Sequence, residues 1–129
     1  MTTPDELEQR HTLSTATTRY DELRLREALV MLSDDPTPLS LQESLELLAL
    51  SEVVIRKAGY GRPAMVRTAR GAGASWTQIG AALGTSKQAA WEAHQRWIED
   101  QARQHEAADY QGLDPEEADA ARGLAGNPD

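Results

Sequence analysis

Between residues 75 and 97 the chain reads SWTQIGAALGTSKQAAWEAHQRW, and this stretch constrains the fold more than any other. Ser75 and Gln78 have the spacing of a capping box, in which each side chain satisfies a free backbone N–H of the other residue. A short helix is therefore expected to open at Ser75 and run through Ile79 and Leu83 to Gly84. Thr85 and Ser86 form a turn, Ser86 serves as the next N-cap, and a longer helix follows from Lys87. Two helices joined by so short a glycine-containing turn pack at close quarters.

The apolar vocabulary elsewhere agrees with a helical chain. The sequence holds 20 Ala and 15 Leu, only four Val and three Ile, and no Phe, so strong helix formers abound while strand formers are scarce. An all-α protein of five to six helices follows, with a central pair around the turn and an extended second helix. Such Ala-based cores bury little surface, which favours further burial against a second copy.

Residues 1–19 are rich in Thr and charge with weak periodicity, and read as a flexible or frayed segment. Residues 20–60 read as helical. Leu25, Ala28, Leu29 and Leu32 recur at helical spacing, and the stretch from Asp34 to Pro38 breaks the pattern. Ser40 with Glu43 then opens a helix carrying Leu41, Leu45, Leu47, Leu48, Val54, Ile55 and Ala58. Arg56 and Lys57 fall in its last turn and Gly59 at its end. Leu41, Leu45, Leu48 and Ile55 on this wide apolar face are the candidate dimer interface. Residues 61–110 hold the central unit: Pro63 begins a helix through about Arg70, Gly71-Ala72-Gly73 ends it, and the two helices around Gly84 follow. The last of these continues past Trp97 and Ile98 toward Ala108. Residues 111–129 form an acidic tail in which Asp114-Pro115-Glu116-Glu117 is a good helix start, ending near Gly123 with residues 126–128 loose.

At about 100° per residue, Ala89, Ala90, Ala93 and Trp97 share one face of the helix from Lys87, while Lys87, Gln88, Trp91, Glu92 and Gln95 share the other. The first face suits packing. On the second, Gln can bind adenine through two hydrogen bonds, and Lys can reach guanine or a phosphate. Trp91 there contacts either a base or sugar, or another protein helix. Trp76 and Trp97 read as packing residues.

These features carry a resemblance. Ile79-Gly80-x-x-Leu83-Gly84-x-Ser86, followed by Ala89-Ala90 and Trp97, resembles the helix-turn-helix of many small actinobacterial transcriptional regulators and, more distantly, of sigma-factor region 4. The resembling segment spans Val66 to Trp97, about a quarter of the chain. The motif usually has Ala where this chain has Gly80 and an apolar residue where it has Thr85; both departures still permit close packing at the turn. The resemblance implies base-facing positions at Ser86, Lys87, Gln88, Trp91 and Gln95, and a phosphate contact near Thr77. Arg62, Arg67, Arg70 and Arg96 are further candidate phosphate ligands.

A formal net charge of −8 stands against nucleic-acid binding only on average. Residues 56–97 hold seven cations and one anion, whereas residues 1–55 and 98–129 each carry −7. Screening over about 10 Å at 0.1 M salt lets the local field decide whether phosphate docks.

Other classes are weaker. There is no Cys, and His11, His94 and His105 lack metal-ligand spacing, so neither a metal nor another cofactor is expected. No nucleophile elbow, P-loop or dinucleotide fingerprint occurs, which argues against an enzyme. No apolar run is long enough to span a membrane, and the N-terminus does not read as a secretory signal, so a cytoplasmic location is expected. No small-molecule ligand is evident. The expectation is a sequence-specific transcriptional regulator that binds double-stranded DNA as a homodimer. The alternative is an interaction module that docks on a polymerase or sigma factor through the motif face and acidic arms.

Overall fold

The computed structural model describes residues 2–34 and 37–128, and every regular element among them is an α-helix. In chain order these are α1 (Pro4–Arg10), α2 (Leu13–Leu29), α3 (Leu41–Tyr60), α4 (Arg62–Gly71), α5 (Trp76–Leu83), α6 (Lys87–Ala107) and α7 (Pro115–Ala125). The all-α class expected from the Ala- and Leu-rich sequence is therefore what the chain adopts. It divides into two units, Met1–Gly61 and Arg62–Asp129. None of its helices is long and apolar enough to cross a membrane, among the described residues.

In the first unit α3 packs on both α1 and α2, around Leu7, Ala16, Leu23, Leu47, Leu50 and Val53. The segment that reads as frayed is helical. Thr3 caps α1 ahead of Pro4, and Thr12 with Thr15 caps α2. Leu7 and Ala16 are buried, and Arg56 of α3 reaches Asp5 at 2.9 Å and Glu8 at 3.4 Å. Periodicity missed α1 because a seven-residue helix with one buried anchor has no stripe to detect.

The α2 stripe is also turned. Leu25, Leu29 and Leu32, spaced like a core face, are exposed, and the buried side runs through Ala16 and Leu23 with Tyr20 half-buried. Two ion pairs to α3 accompany that orientation: Arg19 to Glu46 at 2.9 Å, and Arg26 to Glu43. Glu43 also accepts from the Ser40 N–H as the capping-box partner, and these bonds hold its carboxyl down at about 2. The break from Asp34 to Pro38 lies partly outside the described residues, at 35 and 36.

In the second unit α6 is the spine, with α5 on it at one end and α7 alongside, and α4 packed on α6 and α7. Its core is Val66, Trp76, Ile79, Ala90, Ile98, Ala121 and Ala125. The acidic segment after residue 111 is therefore part of this core, not an appendage. Asp114 and Glu117 cap α7 reciprocally, as their spacing predicts. Arg122 pairs with Glu99 of α6 at 2.8 Å, and Leu113 donates its N–H to Gln101 at 3.1 Å.

Candidate nucleic-acid interface

The turn between α5 and α6 is built from backbone contacts. Ser75 and Gln78 form the expected capping box, and Ser86 accepts from the Ala89 N–H at 3.0 Å to start α6. Gly84 ends α5 in the left-handed conformation, with φ at +74°, where a side chain is strained. The Thr85 N–H then donates to the Gly80 carbonyl at 2.8 Å. A Cβ on Gly80 would lie 2.8 Å from the Thr85 oxygen and 2.9 Å from the Ser86 carbonyl carbon. The α5–α6 approach thus requires glycine at 80, and a motif with alanine there needs a slightly wider joint.

Every residue from Ala81 to Ala89 is exposed, so the turn and the first residues of α6 project from the unit. Ser86, Lys87 and Gln88 lie in this stretch. Thr77 is exposed in the first turn of α5. Lys87 makes no ion pair among the described residues, and Gln88 donates to Glu92 at 2.8 Å.

Further along α6 the observed faces are rotated from those of the helical wheel. The buried line is Ala90, His94 and Ile98, with Trp91 and Trp97 half-buried on its flanks, whereas Ala89 and Ala93 are exposed. The cause is α7: α6 is covered by α5 and by α7, so its packing side turns toward the aromatic residues. Trp91 belongs to this side. Its indole N–H donates to the Gly126 carbonyl at 2.7 Å. Gln95 is half-buried, and Arg96 is exposed without an ion pair among the described residues.

The arginines divide in the same way. Arg70 is turned inward: it stacks over Trp76 at 5.3 Å and donates to the Ala74 carbonyl at 2.9 Å and the Leu124 carbonyl at 3.1 Å. Arg67 lies over the Trp97 ring at 5.9 Å, and Arg62 is exposed. Trp76 is buried as expected of a packing residue, and its N–H donates to the Ala125 carbonyl at 2.7 Å.

His94 is buried between Trp76, at 5.8 Å, and Trp97, stacked at 5.6 Å. Burial, and then the nearby Arg67 charge, push its pKa below the ordinary histidine value. The ring is therefore held neutral near pH 7 as part of the aromatic core.

Arg62, Arg67, Lys87 and Arg96 thus remain as outward cations of this unit near the motif, with Ser86, Gln88 and Thr77 as exposed polar groups. Sequence reasoning missed the donors from Arg70, Trp76 and Trp91 to the end of α7, because nothing in the spacing of those three residues links them to residues 124–126. No protein-family model, curated protein or solved structure matches this chain.

Proposed function

We propose that the protein is a cytoplasmic, sequence-specific DNA-binding transcriptional regulator that acts as a dimer and presents the start of α6 to the major groove. The observation that carries this reading is the α5–turn–α6 joint, closed by backbone contacts at Gly80 and leaving Ala81 to Ala89 exposed. Its proposed base contacts are Ser86, Lys87 and Gln88, with Gln95 at the margin, and its phosphate contacts are Arg62, Arg67, Arg96 and Thr77. Trp91 and Arg70 drop out of the reading set because their donors are used within the unit. One such helix covers few base pairs, so two copies on paired half-sites about 34 Å apart are expected.

A second reading draws on charge. The unit from Arg62 onward carries seven basic and ten acidic residues, and Glu92 lies beside Gln88 on the projecting helix. That balance suits docking on a basic surface of the transcription machinery.

Selection from fragmented genomic DNA at about 150 mM salt separates the two, because phosphate contacts weaken steeply with salt. Enrichment of a two-fold-related sequence, relaxed by Lys87→Ala and by Gln88→Ala, supports the regulator. With four outward cations in each copy, the slope of log affinity against log salt should be no steeper than about −7 for the dimer. Absence of any enriched sequence refutes it, and binding to purified polymerase or sigma factor then favours docking.

A further inference from the structure

The first unit leaves one side of α3 uncovered. Leu41, Leu45, Leu48 and Ile55 are 78, 44, 67 and 67 % exposed, on the helix side opposite the buried Leu47, Leu50 and Val53. With Glu52 they follow a four-three-four-three spacing, the seam of a paired helix. The stripe is a ridge between two shallow grooves. One is lined by Leu48 and Ser44 with Tyr20, Arg24 and Glu27 of α2, the other by Leu45 and Leu48 with Thr2 and Pro4. A ridge with grooves on both flanks is complementary to a copy of itself.

We propose that this stripe is the seat of a second copy of the chain, with the two α3 helices crossing antiparallel. The area sits at the low end for a specific interface. The four residues display the equivalent of about two and a half fully solvated aliphatic residues per copy, so their complete burial in both copies removes at most roughly 1,000 Å².

Charge selects the orientation. Glu52 is the charged member of the seam, and Arg56 holds it at 3.1 Å from within the same helix. A parallel pair would bring Glu52 against its own equivalent and align the two helix dipoles. An antiparallel pair carries it toward the partner's α3 N-terminus, where the end of the helix is partially positive. Orientation and stripe together define a two-fold interface.

The proposal refines the dimer named in the functional reading and is tested without DNA, so the two fail separately. A dimer that selects no DNA sequence leaves this inference standing, whereas a monomer that selects one overturns it alone. Light scattering on the full chain at about 50 µM should give twice the chain mass. Leu48→Glu should give the single-chain mass with unchanged circular dichroism, and Leu48→Met should stay dimeric. The chain has no cysteine, so orientation can be read by cross-linking with a short bis-maleimide. Residues 41 and 55 are about 21 Å apart along one helix, beyond the reach of such a linker. A mixture of Leu41→Cys and Ile55→Cys chains should cross-link, while Leu41→Cys alone should not. A monomeric parent, a Leu48→Glu chain that remains dimeric, or self-linking at residue 41 each overturns the proposal.

Discussion

Replacing Gly80 by alanine should destabilise the second unit, although the site is inside a helix where alanine is normally favoured. The exchange gains about 1 kcal/mol of helix propensity. Against this, the new methyl group would lie 2.8 Å from the Thr85 oxygen, 2.9 Å from the Ser86 carbonyl carbon and 3.0 Å from the Lys87 nitrogen. All three are backbone atoms, so no side chain can rotate away. The turn is also tied to Gly80 itself by the 2.8 Å bond from Thr85, so widening the joint strains that bond. Overpacking of this kind typically costs about 1–3 kcal/mol, and with a backbone wall the upper part applies, leaving a net loss of about 1–2 kcal/mol. For a unit of this size that lowers the melting temperature by roughly 4–15 °C.

The assay can be confined to the right unit. Trp76, Trp91 and Trp97 are the chain's three tryptophans and all lie beyond Arg62, so their fluorescence follows the second unit while far-ultraviolet circular dichroism follows both. Gly59→Ala supplies the contrast. Gly59 lies within α3, and a Cβ there meets nothing within 4 Å. That exchange should stabilise the first unit by up to about 1 kcal/mol and leave the tryptophan transition in place. If Gly80→Ala melts at or above the parent temperature by fluorescence, the joint is not closed by backbone contact and the argument for its geometry fails.

Trp91→Phe removes the N–H that the Gly126 carbonyl accepts and should cost about 1 kcal/mol in urea titration, with DNA selection unchanged; altered sequence preference would return Trp91 to the reading face. Trp76→Phe should cost more, about 2–4 kcal/mol, because the ring is buried and the Ala125 carbonyl loses its donor where water reaches poorly. His94 has a folded pKa below its unfolded value near 6.5, so the unfolded chain binds the proton more readily. Its contribution is complete above pH 6.5 and is lost as pH falls through the lowered folded value. The fluorescence melting temperature should therefore decline from pH 6.5 toward pH 5, and His94→Phe should flatten that decline.

Local signals were legible where side chains act on neighbouring backbone. Ser40 with Glu43, Ser75 with Gln78, Asp114 with Glu117 and Ser86 at the start of α6 all form the caps their spacing announces, because a cap is decided within four residues. Burial was less legible, because it depends on which helices meet. Leu25, Leu29 and Leu32 have core spacing, yet α2 meets α3 through Ala16 and Leu23 and leaves them outward. The wheel of α6 assumed one packing partner, and α7 supplies a second that rotates the buried side onto His94. The turn and the residue that starts α6 were readable from the glycine and cap chemistry alone. The use of Trp91 was not, since its acceptor lies 35 residues away.

The end of α7 explains why aromatic and cationic groups that look suited to nucleic acid are turned inward. A helix leaves its last carbonyls without partners, and its C-terminus is partially negative. Here the Leu124 carbonyl takes the Arg70 Nε, the Ala125 carbonyl takes Trp76, and the Gly126 carbonyl just beyond takes Trp91. One donor comes from each of α4, α5 and α6, so all three helices meet at one terminus. This arrangement satisfies the helix end with groups that also fill the core, and it explains how an Ala-lined helix holds its place with little apolar area of its own. It also sets the electrostatics. With α7 fastened at its end and by Arg122 to Glu99, its exposed Glu116, Glu117 and Asp119 are held at the end of α6 away from the turn, and Asp119 also pairs with Arg122 at 2.8 Å. The start of α7 lies beside Gln101 and His105, about 21 Å along α6 from Lys87, so screening over about 10 Å leaves the field at the turn to the groups close to it.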